Sequence, residues 1–446
     1  ESGDDYLWRK AEAVPPDPAW YNSSWDYRKK VTVNSSQVSA DDSGFPVYIE
    51  DTSSDWTGAN PDGSDLRITT DDGQTEIPFE IEDFNDTSGR LAMWAKVDVL
   101  AASDVNLYVY YGNSGASAYA ASDTYGSQNV WDSNYDMVLH FNEDPSGSAP
   151  QVIDSTDSGY NYESNGSMTS SDLIYDDKGG RCIDFDGSDD GLRYDTTSYP
   201  NFGNGTLTIE VWVKPENMEG AADWITVAGG DDNNYYPNII DSGATLQFSP
   251  DESASDRARW THGASDSSWV NWVITRTNST TAAAYENTTS LSQDNALAST
   301  NDAVIGSFMC EHQSGGTRRY FLQGRITEYR VSSVVRDSDY ITTTYNNLNS
   351  PSAFITVGDV EAYAPSDPSY YIQKSSGTDD SAWGTEYSIA SDSSGSYGHC
   401  VIVPTDANEI MTLYQSGNTL YSKEFSDPSS QGSATEVVTD CNTGTL

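Results

Sequence analysis

The stretch Leu207-Thr-Ile-Glu-Val-Trp-Val213 and its later counterpart Gly324-Arg-Ile-Thr-Glu-Tyr-Arg-Val331 decide the fold class. In the first, Leu207, Ile209, Val211 and Val213 occupy every second position, the period that gives a β-strand one buried and one wet face. Thr245-Leu-Gln-Phe248 and Trp269-Val-Asn-Trp-Val-Ile-Thr275 repeat the pattern, with turns rich in Asp, Gly, Ser and Asn between them. The one convincing helix in this region lies within Arg336 to Tyr345. Asp337 or Ser338 is placed to cap it, and Tyr340, Ile341 and Tyr345 share a side.

Upstream, Tyr27 to Val33, Phe45 to Ile49, Leu66 to Thr70, Glu76 to Glu82, Leu91 to Val99 and Val105 to Tyr111 alternate in the same way. Six such strands predict a separate antiparallel sandwich. Downstream, Tyr387 to Ile389, His399 to Val403, Glu409 to Tyr414 and Thr419 to Phe425 make a meander, one blade's worth and too few for a propeller. The fold class expected is all-β, tandem antiparallel sandwiches followed by a small β-meander domain. Its parts are an N-terminal arm over 1–19, a first sandwich over 20–126, a second over 127–362, a linker over 363–372 and a small β domain over 373–446. That last domain reads equally as the start of a propeller, with the chain continuing past Leu446. The beginning at Glu1, with neither an initiator Met nor a signal segment, fits a processed or trimmed secreted chain.

Charge bounds the function. The 446 residues hold 69 Asp and Glu against 22 Lys and Arg, a net of -47. Such a chain repels itself unless salt screens it, so a salt-adapted protein of a halophilic microbe is expected, with a secreted protein bathed in divalent cations as the alternative. Disorder does not account for the 12 Trp, 29 Tyr and 11 Phe set in regular strand patterns. Nucleic acid and anionic membranes would be repelled, and no apolar run reaches the length of a membrane-spanning helix. Cys182, Cys310, Cys400 and Cys441 form no CxxC pair, so a zinc cluster is not expected from them. Disulfides Cys182 to Cys310 and Cys400 to Cys441 are the economical pairing, and four buried thiols the alternative.

Two sets of motifs go beyond periodicity. WDYRKKVTV (25–33), DGSDLRITTDDGQTEIPFEIEDF (62–84) and NLYVYYGN (106–113) resemble an uncharacterised domain family of microbial surface proteins that sits before laminin-G-like modules. VLHFNED (138–144), RCIDFDGSDDGLRYD (181–195), GTLTIEVWVKPE (205–216) and the run from Gly324 to Gly358 are similar to a concanavalin A-like, laminin-G-type jelly roll. The resemblance implies two sheets face to face and a family that binds glycans or proteins at cell surfaces, often with calcium. On that basis Asp186, Asp189 and Asp190 are the candidate calcium ligands, since a hard cation takes six to eight oxygens. The alternative is a solvated turn without an ion. No DxDxDG loop occurs.

A sugar-binding surface needs an exposed aromatic face beside carboxylates and amides. Tyr235, Tyr236, Trp260 and His262 lie in polar, loop-like stretches and are the ligand-binding candidates, while His140 in Val138-Leu-His-Phe141 reads as a strand-packing residue. No catalytic residues are assigned. Glycoside hydrolases of this fold type carry alternating acidic residues on one strand, as in ExDxxE, and the chain has none. Glu80 and Glu82 alternate around Ile81 but have no third partner in the sequence. GxSxG, HExxH and the SxDxGxxW box are absent too. The expected function is an extracellular or surface-exposed recognition or adhesion protein that binds glycan or glycoprotein. The alternatives are a structural subunit of a virion, tail fibre or filament, with the arm at 1–19 docking on a neighbouring copy, and an accessory module of a glycoside-active enzyme.

Overall fold

A computed structural model of the chain describes residues 6–11, 18–176, 178–194, 200–218, 225–229, 235–240, 245–250, 257–298, 301–312, 318–363, 369–375, 383–391, 401–404, 410–416, 419–425 and 435–439; for 6–11, 225, 235–240, 311–312, 318–319 and everything beyond 363 it describes the backbone path alone. The chain divides into two units. One comprises residues 24–71 and 75–361, the other 1–23, 72–74 and 362–446.

Both sandwiches lie in the larger unit. In the first, a sheet ordered Ile355–Ala362, Tyr27–Val33, Val105–Tyr111, Arg67–Thr70 faces one ordered Asp42–Thr52, Arg90–Val99, Phe79–Asn85. Val31, Val47, Ile49, Trp56, Ile68, Met93 and Val109, all wholly buried, fill the space between them. The strand Ile355–Ala362 corrects the expected boundary at 362. It pairs into the first sandwich, where the Glu361 carboxylate accepts from Arg28 Nε at 2.7 Å.

The second sandwich faces a sheet ordered Leu173–Tyr175, Arg181–Asp186, Gln323–Ser332, Leu207–Pro215, Val270–Asn278, Thr281–Glu286, Thr289–Ser290, with Tyr135–Leu139 also paired to Gln323–Ser332, against a second large sheet. That second sheet runs Gln293–Asn295, Ala258–Thr261, Thr245–Ser249, Tyr235–Ile240, Ala228–Gly229, Ser307–Phe308, Gly191–Arg193, Glu163–Asn165. Leu207, Ile209, Val211 and Val213 point inward as the alternation requires. A β-bulge opposite Trp212 and Val213 leaves Thr327 unpaired, so Ile326, Tyr329 and Val331 all face in while Glu328 and Arg330 face out. Gly324, the second residue of this strand, has φ +141, and a Cβ there would lie 2.2 Å from the Lys214 carbonyl oxygen.

One outward face of each sandwich is not wet. Tyr48, Ala92 and Trp94 from the outer side of the first sandwich pack with Tyr135, Val138 and Trp212 of the second and with Trp131 between them, and all are buried. Helix Ser338–Asn349 completes this layer. Asp337 caps it by accepting from the Tyr340 backbone N–H, and it runs four residues past Tyr345, which stacks on Trp212 at 5.4 Å between ring centroids. Asn347 in its last turn accepts from Tyr48 N at 3.0 Å and donates to the Pro46 carbonyl at 2.9 Å, which closes an otherwise open strand edge.

In the smaller unit, Tyr6–Ala11 pairs antiparallel with Ser369–Ser375, which pairs with Trp383–Ser391. The stretch expected as an arm for a neighbouring copy is thus a strand of its own chain's sheet. Val401–Pro404, Ile410–Ser416, Thr419–Phe425 and Thr435–Thr439 form the four-stranded meander.

Candidate functional site

Of the aromatic candidates, Trp260 is wholly buried in the second sandwich's core and His262 is 7% exposed. Both corrections have one cause. Ala258–Thr261 is a strand whose polar residues, Arg259 and Thr261, advertise a loop, while Trp260 faces inward beside Leu246. His262 sits edge-on to Trp272, and burial holds its pKa below the ordinary imidazole value. Tyr235 and Tyr236 open the strand Tyr235–Ile240, and their side chains fall outside the described residues, as do Cys400 and Cys441.

Asp186, Asp189 and Asp190 do come together, with one carboxylate oxygen of each within 4.8 Å of the others. Much of their capacity is spent inside the turn. Asp186 Oδ1 accepts from the backbone N–H groups of Ser188, Asp189 and Asp190, and Asp189 accepts from Ser167 Oγ. The expected Cys182–Cys310 disulfide is absent, and both are buried thiols. Ile183 and Phe185 face the core, so Cys182, one residue before Ile183 in the same strand, points to the opposite side of its sheet, and Cys310 follows the strand Ser307–Phe308 of the other sheet. Burial pushes the Cys182 thiol up to about 12.

Among the described residues of the larger unit, a cleft of about 1150 Å³ lies between the first sandwich, the segment after it and the start of the second. Asp71, Asp98, Asp132, Asp136 and Asp157 line it with Asn106, Gln128, Asn129, several Ser and Thr residues and the largely buried Trp131 and Tyr135. Lys96 is its single basic lining residue. Asp132 is tied to Arg336 through contacts of 3.2 and 3.3 Å, and burial raises the pKa of Asp136.

Behind Trp131 lies a buried ionic network that joins the two sandwiches. Phe79–Asn85 carries Glu80 and Glu82 outward, with a bulge between Ile81 and Asp83 that sets Glu82. His140 follows the strand Tyr135–Leu139. Its neighbour Phe141 is held at φ 57, a left-handed conformation costly for an aromatic residue, and is wholly buried against Phe308. Glu328 Oε1 and Glu82 Oε1 stand 2.6 and 2.9 Å from His140 Nδ1, and Glu80 Oε2 stands 3.5 Å from Nε2. Arg330 donates to Glu328 Oε2 through Nε at 3.0 Å and Nη2 at 2.8 Å, with Glu210 3.9 Å from Nη1. Trp131 Nε1 and Ser155 Oγ donate to Glu80 at 2.8 and 2.6 Å, and Trp94 Nε1 donates to Glu82.

Burial works against both charge types here, and the neighbours decide the outcome. It pulls the imidazolium of His140 down, but Glu328, Glu82 and Glu80 outweigh it and hold the ring well above its usual range. It pushes Glu328 up, but His140 and Arg330 bring that carboxyl below its ordinary value. Glu82, with less help from cations, is raised.

Glu80, Glu82 and His140 each stand out in the sequence, but nothing in it joins them. Glu80 and Glu82 lacked a third partner because Glu328 and His140 lie far along the chain on another sandwich. The available signal was the Glu328-x-Arg330 pair on the polar side of a strand whose other side is apolar.

Residues 62–147 match the family described as a domain of unknown function, DUF2341, and residues 186–342 match the concanavalin A-like lectin/glucanases superfamily. No curated protein matches the chain. Among solved structures, domain 4 of an extracellular arabinanase of Geobacillus stearothermophilus, in complex with arabinotriose, is similar at 15% identity and a TM-score of 0.34, over 48% of this chain and 99% of that one. The binding domain of botulinum neurotoxin serotype D/C is similar at 13% identity and a TM-score of 0.35, over 65% of this chain and 73% of that one. Likenesses of this size carry no argument about function. The family matches and the two facing sheets agree with the motifs quoted above: the chain carries a DUF2341 domain followed by a concanavalin A-like, laminin-G-type jelly roll.

Proposed function

We propose that the chain is a recognition protein that binds neutral or amino-substituted glycan in the cleft between its two sandwiches, outside the cell and in a salt-rich medium. The observation that carries this reading is the lining of the cleft. Five aspartates, three amides and a series of hydroxyls are the groups that hydrogen-bond sugar hydroxyls, in a space large enough for more than one pyranose ring. The concanavalin A-like family of the second sandwich supports it. The carboxylates argue for the class of sugar: with one lysine among them, a sialylated, sulfated or uronic glycan would be repelled.

Binding without catalysis is part of the proposal. Glu82 and Glu328, two carboxylates that approach one another, are buried and hold His140, so no sugar reaches them. Calcium at Asp186, Asp189 and Asp190 also belongs to it, as a loop ligand rather than a catalyst. The test is a glycan array run with the full chain in molar potassium chloride, with and without a chelator. Binding of neutral or amino sugars, weakened about tenfold or more by Asp136→Asn or Gln128→Ala, is the expected result, ~1.4 kcal/mol per tenfold. Binding that ignores both substitutions places the site elsewhere, and an array with no signal overturns the reading.

A further inference from the structure

Glu82, His140 and Glu328 each turn one ligand atom toward a common point, the three atoms lying within 4.8 Å of one another. The side chains are 2, 3 and 1% exposed, so water supplies nothing there. Two atoms of the group, Glu82 Oε2 and His140 Nε2, are buried without a hydrogen-bond partner. In native proteins such orphans are rare and costly. Charge is unbalanced as well: Glu80, Glu82, Glu210 and Glu328 face Arg330 and a histidine.

The conflict centres on Nδ1. Two carboxylate oxygens stand 2.9 and 2.6 Å from it, and a single N–H there must be shared between them. If instead the ring carries its proton on Nε2, that N–H faces Glu80 Oε2 at 3.5 Å, and Glu80 is itself held by Trp131 and Ser155. Nδ1 then presents a lone pair to two anions, an arrangement that a cation between them would satisfy; a ring protonated on both nitrogens still shares one N–H between two carboxylates and leaves Glu82 Oε2 without a donor. A carboxylate on the far nitrogen of a ligating histidine is the usual outer support of a metal site.

We propose that Glu82, His140 and Glu328 bind one divalent transition-metal ion at the seam of the two sandwiches, with Glu80 as the positioning residue for the histidine ring. One imidazole and two carboxylates suit zinc or cobalt better than calcium or magnesium, which take all-oxygen shells. Ligand atoms about 2.0–2.2 Å from a tetrahedral ion lie about 3.3–3.6 Å apart, so the two carboxylates move outward by less than about 1 Å. The ion would supply the positive charge the cluster lacks and fasten one sandwich to the other. Because the ligands are buried, it enters as the sandwiches close during folding.

The experiment refolds the full chain from guanidinium and chelator into molar potassium chloride with cobalt(II) as probe. One cobalt per chain is expected, with the visible bands of a four- or five-coordinate ion, displaced by zinc, lost in Glu82→Gln and His140→Gln and retained in Asp189→Asn. Cobalt held on the acidic surface stays six-coordinate and nearly colourless. Only that weak spectrum, or bands that survive Glu82→Gln and His140→Gln, overturns the proposal. Should those variants fail to fold, zinc-edge X-ray absorption of the wild-type protein decides: a shell with one imidazole nitrogen and carboxylate oxygens supports the site, and an all-oxygen shell or no retained zinc refutes it.

Discussion

The interior of the second sandwich and the seam between the two sandwiches are built from the same strands, yet they obey different physics. Leu207–Pro215 sends Leu207, Ile209, Val211 and Val213 into an apolar core and Glu210 and Trp212 into the seam; Gln323–Ser332 does likewise with Tyr329 and Val331 against Glu328 and Arg330. In the core, burial of apolar area suffices, and one well-shaped side chain replaces another. In the seam each charge depends on a named partner, because a buried charge without one costs several kcal/mol. The core therefore answers to packing and buried apolar area, whereas each charge in the seam answers to the partner beside it.

The largest effect expected concerns the whole surface rather than either region. With a net charge of -47, the chain should lose its fold when salt is removed and gain stability steeply as salt is added. Thermal melts from low to molar potassium chloride measure this. Screening saturates near about 0.5 M, where the Debye length is about 4 Å. An unchanged midpoint across the series would remove the salt-adapted reading.

Next come single substitutions that set the regions against each other. Phe308→Ala, in the core against Phe141, Tyr162 and Tyr329, should cost about 3–5 kcal/mol at any salt concentration. Arg330→Met, in the seam, should also cost about 3–5 kcal/mol, by taking from Glu210 its cation and leaving Glu328 with His140 alone. The difference lies in rescue. Adding Glu328→Gln to Arg330→Met should recover part of the loss, read from guanidinium midpoints in chelator, while no neutralising partner exists for Phe308→Ala. Absence of rescue would mean that the seam is held by packing alone.

A smaller effect should appear as two pH slopes of opposite sign. His262, in the second sandwich, is held below 6.5 by burial, so the unfolded chain binds the extra proton and stability falls as pH drops below about 6.5. Glu143, beside the seam, is pushed up to about 7 by burial, so the folded chain keeps its proton and stability falls as pH rises from about 4.5 to about 7. His262→Asn should flatten the first slope and Glu143→Gln the second. Identical pH profiles for the wild type and both variants would refute the two assignments.

Smallest is the cap. Asp337→Ala removes the acceptor for the Tyr340 N–H and should cost about 1 kcal/mol, since the helix carries Leu348 and Asn347 into the seam. A loss several times larger would show that the helix governs how the seam closes.

How far the seam was readable shows at individual residues. The cap is legible in the sequence to within one residue, Asp337 or Ser338, because capping is a local hydrogen bond that a few neighbouring residues specify, and the structure places it at Asp337. Trp260 was misread because its strand neighbours are charged, and alternation in a strand of four residues is too short to outweigh them. Glu80, Glu82 and His140 each showed the right chemistry with no hint of partnership, because strand period assigns a side chain to a face and says nothing of what covers that face. The bulges at Glu82 and Thr327 are equally silent in the sequence: each inserts one unpaired residue into a ladder that alternation alone describes as regular.

By itself, the sequence determined the all-β class, the two sandwiches and their family motifs and the capped helix, because each follows from local periodicity or turn chemistry. Only the tertiary structure decided that Ile355–Ala362 returns to the first sandwich, that Cys182 and Cys310 belong to opposite sheets and that the polar faces of two sheets become a buried seam. Those outcomes depend on which face meets which across 100 residues or more of chain. Such pairings are selected by the closing of the whole fold, where an outward glutamate is paired or left alone according to what arrives opposite it.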